Sequence, residues 1–171
     1  MKENNMSTIL GDSMRKRHLM IYLSFMTLGL ALILGCSEIV VKKTSRPERR
    51  HLQNAYLQDA DLSELDLKGA DFTGGHLRGA SFEGSDLEKA LLVRTNLQEA
   101  NLKGANLKQS DLSYANLQGA NLHNANLEGA NITGANLREA NVSGANFQGV
   151  IGLTELMRKV LVQGGATVGG F

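Results

Sequence analysis

A leucine recurs at every fifth residue through the middle of this chain, as in ANLQGANLHNANLEGAN over residues 115–131. An α-helix completes a turn in about 3.6 residues, so a five-residue step would scatter Leu117, Leu122 and Leu127 around its circumference. In a flat strand the side chains alternate between two faces, so an odd step would send successive leucines to opposite faces. The period therefore favours a β-solenoid, in which the chain extends for a few residues, turns a corner and repeats.

The repeat continues in one register from Leu52 to Phe147, which gives 20 copies. Each central residue is apolar, and the residue two positions before it is small in nearly every copy. Glycine lies two positions after the centre in 10 copies, and Asn54, Asp59 and Asn124 hold that position in three more. These residue types accept the positive φ of a tight corner. We therefore expect large and small apolar side chains to alternate toward the axis, with a corner after each copy.

The tandem motif A-[DN]-L-x-x, with copies ANLKG, ANLQG, ANLEG and ANLRE, resembles the motif of pentapeptide-repeat proteins. The resemblance covers residues 51 to about 165. It implies an all-β fold, a right-handed quadrilateral β-helix with four five-residue sides per coil. Twenty copies would form about five coils, and at about 4.8 Å per coil they would build a rod roughly 24 Å long.

Four sides per coil would stack each residue on the one four repeats further along the chain. One outward column would then contain Lys68, Glu88, Lys108 and Glu128, with opposite charges on neighbouring coils. Each such pair contributes about 0.2–1 kcal/mol. Three further columns would stack amides that can hydrogen-bond from coil to coil: Asn96, Asn116 and Asn136; Asn101, Asn121 and Asn141; and Asn106, Asn126 and Asn146. We interpret both patterns as stabilising the solenoid rather than binding a ligand.

The sequence changes character after Phe147 and predicts a short helix that caps the rod. Thr154 is suited to the N-cap, Glu155 falls in the first turn, and Gly164 marks the end. The segment resembles the capping helix that closes many rods of the family. Four apolar residues are expected to cover the last coil: Leu153, Leu156, Val160 and Leu161.

The beginning of the chain has the pattern of an exported lipoprotein. A basic cluster at residues 15–17 precedes an apolar run over residues 19–34, as in a secretory signal peptide. Residues 33–36, ILGC, resemble the bacterial lipobox, in which a lipid is attached to the cysteine, here Cys36, and cleavage makes that residue the first. Cys36 is the only cysteine in the chain.

These patterns divide the chain into four segments. Residues 1–35 are the predicted signal peptide, with Met14 as an alternative start to Met1. Residues 36–50 are the lipidated cysteine and a basic tether, residues 51–150 are the pentapeptide-repeat β-helix, and residues 151–171 are the capping helix and tail.

The lipoprotein interpretation places the rod outside the cytoplasm, attached to a membrane through the lipid on Cys36. The second residue of the mature chain would be Ser37 rather than aspartate, which by analogy with enterobacterial sorting points to the outer membrane. The alternative is an uncleaved inner-membrane anchor, because the uncharged stretch from Leu19 to Ser37 is nearly long enough to span a bilayer. Basic residues flank that stretch on both sides, so their distribution does not settle its orientation.

The repeat has no pattern that indicates catalysis, a cofactor or a metal site. His51, His76 and His123 are isolated, and the glycines fall at corners rather than in a phosphate-binding loop. Aspartate replaces asparagine in some copies, where we expect it to be structural: Asp61, Asp66, Asp71 and Asp86. The sequence therefore predicts a protein that is not an enzyme.

One local departure from the repeat indicates a small surface for a partner protein. In the segment ALLVRTN, the outward positions hold Leu91 and Val93, and Arg94 shares a column with Tyr114. An apolar pair beside an arginine and tyrosine that can stack is suited to receiving a partner. Repeat drift with harmless exposure is the alternative explanation.

Two functions follow from these observations. The first is a rigid, membrane-tethered structural or interaction module that contacts an unidentified envelope protein and binds no nucleic acid. A homodimer formed end to end through the C-terminal cap is a further expectation. The alternative is a cytosolic gyrase-protection protein, since some pentapeptide-repeat proteins imitate duplex DNA with an acidic rod. Residues 51–150 contain 7 basic and 12 acidic residues, whereas DNA carries about one charge per 1.7 Å. The predicted export signal also disfavours the alternative.

Overall fold

The computed structural model describes residues 52–169, and these residues form a stack of four-sided coils. The predicted signal peptide, the predicted lipid attachment at Cys36 and the predicted tether lie outside the described residues.

Parallel β-bridges between neighbouring coils fix the register of the stack. In all but one of the bridges among the described residues, the partners are four repeats apart, as are Asn96 and Asn116. Each side of a coil contributes one bridged residue, the one before the apolar centre, so the chain pairs through isolated bridges rather than long strands. The expected coil of four repeats is therefore confirmed. We name the four sides by their central residues: side 1 (52, 72, 92, 112, 132), side 2 (57, 77, 97, 117, 137), side 3 (62, 82, 102, 122, 142) and side 4 (67, 87, 107, 127, 147).

The core is a column of large apolar side chains separated by small ones, as the repeat predicts. The central leucines from Leu77 to Leu127 are fully buried, as are most of the alanines that precede them by two positions. Phe72 and Phe82 meet edge to face, with their ring centroids 5.7 Å apart. Full burial of each leucine contributes about 1.5–3 kcal/mol to folding.

Main-chain hydrogen bonds use four of the five N–H groups in a typical repeat. Around Leu97, its N–H donates to the carbonyl of Asn116, Glu99 donates to Gln118, and Asn96 donates in the opposite direction to Gly75, all at 2.8–2.9 Å. The fourth bond closes the corner, from Ala100 N–H back to the Leu97 carbonyl at 3.1 Å. Only the N–H of the residue after the centre is left without a main-chain acceptor.

Asparagine or aspartate before the centre satisfies that remaining N–H. In each of the 15 described copies with such a residue, its side-chain oxygen accepts from the N–H two residues later. This is an Asx turn, which Asn and Asp form more readily than other residues. The structural role expected for Asp61, Asp66, Asp71 and Asp86 agrees with this geometry.

Every corner requires a positive φ, whether or not glycine occupies it. The residue two positions after each centre has a φ between 54° and 70°, and in half of the copies that residue is not glycine. Seven of these residues are neither Gly, Asn nor Asp: Glu64, Lys89, Arg94, Glu99, Gln109, Tyr114 and Glu139. The ladder and the core hold these residues in a conformation that an L-amino acid normally avoids.

The helix α1, Glu155–Gln163, interrupts what would be the sixth coil. The chain still follows side 1 at Ile151, which is bridged to Asn131, and it returns to side 4 at Thr167, which is bridged to Asn146. The helix thus replaces sides 2 and 3 of that coil. A Cβ atom at Gly164 would lie 2.6 Å from Val142 Cγ2, so the end of the helix packs directly on coil five.

The predicted helix boundaries agree with the structure, but half of the predicted apolar face was wrong. Thr154 is the N-cap and its hydroxyl accepts from Met157 N–H, and Gly164 is the C-cap. Leu161 is buried and Leu153 is partly buried. Leu156 and Val160, however, are 73% and 56% exposed. The inward face follows a four-residue step through residues 153, 157 and 161, which turns residues 156 and 160 about 100° away.

Exchanging glycine at two corners should change stability in opposite directions. Replacing Gln109, whose φ is 57°, with glycine should raise the free energy of unfolding by about 0.5–1 kcal/mol, because it relieves the left-handed strain. Gly104→Ala should lower it by about 1–2 kcal/mol; no atom lies within 4 Å of the added Cβ, so the backbone alone is tested. Urea unfolding measures both, and changes of the same sign would contradict this account of the corners.

Candidate interaction surface

The repeat is broken on side 1 of the third coil, where Leu91 replaces the usual Asn or Asp. Leu91 is bridged to Asp71 in the coil before and to Asp111 in the coil after. Leu91 and Val93 are both half-buried, so less apolar surface reaches the outside than the sequence alone suggests. The two side chains nevertheless form a small apolar surface between the carboxylates of Asp71 and Asp111.

Leucine at this position also leaves a main-chain donor without its usual acceptor. In neighbouring coils, Thr73 N–H donates to Asp71 and Ser113 N–H donates to Asp111. Leu91 has no acceptor atom in its side chain, and the Val93 N–H makes no hydrogen bond within residues 52–169. The outward surface therefore combines an apolar pair with one free N–H group.

Arg94 and Tyr114 are in contact at the corner beside Leu91 and Val93. The guanidinium carbon of Arg94 lies 5.9 Å from the centroid of the Tyr114 ring, within the range of a cation–π interaction. A Cβ at Gly134 would lie 2.7 Å from Tyr114 Cδ1, so the ring rests on the bare backbone of that glycine. Tyr114 is 60% exposed. We call the set Leu91, Val93, Arg94 and Tyr114 the side 1 patch.

Charged residues elsewhere on the rod mostly pair with each other. Lys68 lies 3.1 Å from Asp86 and 3.3 Å from Glu88, and the hydrogen bonds that its ammonium donates to these carboxylates raise its pKa. Lys108 pairs with Glu128 at 2.9 Å, as the predicted column requires. Further pairs join Lys103 to Glu83 and Arg78 to Glu99. Five of the 12 acidic residues in residues 51–150 lie in these pairs, which therefore neutralise part of the acidic charge of the rod.

Four of the six links in the predicted amide ladders are present among the described residues, and the links from Asn96 to Asn116 and from Asn106 to Asn126 are not. Asn136 donates to Asn116, Asn146 to Asn126, and Asn141 to Asn121, which in turn donates to Asn101, at 3.0–3.3 Å. These side chains bond to each other and to their own turns. They are accounted for by the stability of the stack.

Sequence analysis missed one aromatic pair on side 2. The rings of Tyr56 and His76 stack in parallel, with centroids 4.5 Å apart and planes 5° apart. Tyr56 is 80% exposed. The one-coil spacing could have revealed this pair, just as it revealed Arg94 and Tyr114.

Within residues 52–169, no three His, Cys, Asp or Glu side chains form a cluster that could hold a metal ion. Over the same residues, no helix is long and apolar enough to cross a membrane.

The family pattern described as "Pentapeptide repeats (8 copies)" matches residues 51–88, 76–113, 90–129 and 110–149. The chain belongs to the pentapeptide-repeat family. Proteins of this family form right-handed quadrilateral β-helices. No curated protein matches the chain.

Among solved structures, the chain is similar to a pentapeptide-repeat protein of the Arabidopsis thaliana thylakoid lumen. The two are 36% identical with a TM-score of 0.53, over 63% of this chain and 77% of the other. HetL, a pentapeptide-repeat protein of the cyanobacterium Nostoc involved in heterocyst differentiation regulation, is 28% identical over 69% of this chain and 70% of its own, with a TM-score of 0.37. QnrB1, a plasmid-mediated fluoroquinolone resistance protein, is 20% identical over 68% of this chain and 66% of its own, with a TM-score of 0.32.

Proposed function

We propose that this protein is a non-enzymatic interaction module, a rigid rod tethered to a membrane of the bacterial envelope through a lipid on Cys36. Pentapeptide-repeat proteins are generally structural or interaction proteins rather than catalysts. The observation that carries the interaction role is the side 1 patch, where Leu91 puts an aliphatic side chain between the Asx turns of Asp71 and Asp111. The predicted export signal and the resemblance of residues 33–36 to a lipobox support the proposed location.

The patch is suited to a protein partner because it offers three kinds of contact in one place. Leu91 and Val93 offer apolar area, the Val93 N–H offers a hydrogen-bond donor, and Tyr114 offers an exposed ring backed by Arg94. Aromatic and arginine side chains contribute strongly at protein interfaces. The flanking coils hold these groups in fixed positions, so little conformational freedom is lost on binding.

Lipidation at Cys36 predicts a specific mass for the protein in its own host. The membrane fraction should yield a chain that begins at an acylated Cys36, and Cys36→Ser should abolish that species, because thioether attachment requires the thiol. Intact-mass spectrometry of both proteins measures this. An unmodified full-length chain in the soluble fraction would contradict the tether and favour the cytosolic alternative.

Restoring the repeat at residue 91 should remove the interaction without damaging the fold. In Leu91→Asn the new amide would accept the Val93 N–H, so the melting temperature should stay within about 4 °C of the wild type. Quantitative purification from envelope extracts should then lose the partner that the wild type retains. Asn121→Leu, which makes the reverse exchange on side 3, is the matched control and should retain it. Equal recovery with all three proteins would refute the patch.

The alternative, protection of gyrase by DNA mimicry, has less support from the charges of the rod. Its acidic excess is small, and basic residues lie close to Glu83, Asp86, Glu88, Glu99 and Glu128. Duplex DNA presents about one unpaired negative charge per 1.7 Å of axis. A gyrase supercoiling assay with the purified full chain tests the alternative. Protection predicts that fluoroquinolones inhibit gyrase less when the chain is present.

We also propose that two copies associate end to end through the C-terminal cap. The outer surface of α1 exposes Leu156, Val160 and Val162, and Ile151 beside it is 61% exposed. Four large apolar residues on one end of a small rod are more than a monomer needs to expose. A symmetric dimer would bury Leu156 and Val160, which share one flank of α1, in one isologous interface.

Charge on the outer surface of α1 should separate the two copies. The double variant Leu156→Glu and Val160→Glu should convert a dimer to a monomer, because two carboxylates per chain would face each other in the interface. Analytical ultracentrifugation in detergent gives the mass, and Gln109→Glu, on an exposed corner of the rod away from the cap, serves as the control. A wild type that is monomeric at every concentration would refute the dimer.

A further inference from the structure

Side 2 differs from the other three sides in the chemistry of its outward residues. In the two columns that flank its centres, every residue ends in a planar group, that is an aromatic ring, a carboxamide or a guanidinium. These residues are Tyr56, His76, Asn96, Asn116 and Asn136 in one column, and Gln58, Arg78, Gln98, Gln118 and Arg138 in the other. Sides 1, 3 and 4 mix in hydroxyl, aliphatic or ammonium groups at the same positions.

Several of these planar groups have unused hydrogen-bonding capacity. The side chains of Gln58, Gln98, Gln118 and Arg138 make no hydrogen bond or ion pair within residues 52–169. The N–H groups of Gln58 and Arg78 are also without an acceptor in that range, because Tyr56 and His76 stand where an Asx side chain would accept them. Side 2 therefore offers carboxamide donors and acceptors together with two main-chain donors on adjacent coils.

An exposed aromatic edge lies at one end of this polar array. Tyr56 is 80% exposed, and its ring is held in place by the parallel contact with His76. The Arg78 guanidinium next to it is fixed by Glu99, with Nη2 at 3.0 Å from Oε1 and 3.3 Å from Oε2. The ring and the guanidinium are thus ordered before any ligand binds.

The same residues disfavour other classes of ligand. The two columns contain no aliphatic side chain, and the apolar faces in them are the stacked rings of Tyr56 and His76 at one end. The arginines are offset by the acidic corner residues Asp59, Glu99 and Glu139, so the side as a whole does not attract nucleic acid or anionic lipid. The carboxamides and the exposed ring match an uncharged ligand with many hydroxyl groups.

The geometry points to side 2 as a binding surface for a linear β-linked polysaccharide. A pyranose ring has an apolar C–H face that packs on an aromatic ring, and pairs of hydroxyl groups that planar amides and guanidinium groups can bond two at a time. The groups on side 2 recur at each coil, about every 4.8 Å along the rod, a spacing comparable with the length of one sugar ring. An extended glycan would lie along the rod, with one sugar ring on Tyr56 at one end and later rings beside the carboxamides of Gln98 and Gln118.

Binding of defined oligosaccharides to the full chain in detergent tests this inference. The probes are hexamers of β-1,4-linked N-acetylglucosamine and of β-1,4-linked glucose, with α-linked dextran as the comparison, measured by isothermal titration calorimetry. At least one hexamer should bind. Tyr56→Ala should weaken that binding about five- to tenfold, and the double variant Gln98→Ala and Gln118→Ala should have a similar effect.

Matched variants on other sides separate the site from the fold. His123→Ala on side 3 and Gln148→Ala on side 4 remove planar groups from equivalent outward positions and should leave the affinity unchanged. His76→Asn, which introduces the residue usual at that position, should keep the melting temperature and still weaken binding. No binding of either hexamer at millimolar concentration, equal binding of dextran, or affinity unaffected by the side 2 variants would each overturn the inference. Because side 1 is not involved, these outcomes are independent of the side 1 patch.

Discussion

The structure depends on hydrogen bonds between main-chain groups on neighbouring coils, such as the bond from Leu97 N–H to the Asn116 carbonyl. In a typical repeat, one N–H group donates to the previous coil and two donate to the next coil. A fourth N–H group donates within its own repeat and closes the corner. The remaining N–H must be satisfied by a side chain, and this is why Asn or Asp recurs before the central leucine. A repeat of five residues is sufficient because its positions divide the work: a large residue fills the core, a small residue separates the large ones, one residue forms the corner, and Asn or Asp accepts the remaining N–H.

Most of this architecture could be predicted from the sequence, because a period of five excludes other regular structures and the copies align without insertion. The corners show the limit of residue preference. Tyr114 and Glu99 adopt the same positive φ as Gly104, although neither residue type favours it. Their neighbours in the ladder impose the conformation, so position in the repeat predicts the backbone better than residue type does. The four-sided path followed from the family resemblance, and the bridges show its register directly.

The surfaces were harder to predict, because their properties depend on what lies one coil away. The one-coil spacing placed Arg94 beside Tyr114, and the structure has the two in contact. The same rule was not applied to Tyr56 and His76, whose stacking was therefore missed. On α1, Leu156 was placed inward because helical spacing allows two neighbouring stripes, and only packing on coil five selects one of them. The side 1 patch proposed for a partner therefore rests on a departure from the repeat rather than on the repeat itself.

Because each repeat forms one side of a coil, the number of repeats determines the direction in which later residues face. An insertion or deletion of four whole repeats adds or removes one coil, and every outward column keeps its direction. A change of one repeat preserves the local pattern and the core, yet it rotates everything downstream by a quarter turn. The side 1 patch, the planar groups of side 2 and the terminal helix would then face new directions relative to the N-terminal end of the rod. In this fold, sequence length therefore sets the angle between surfaces as well as the distance between them.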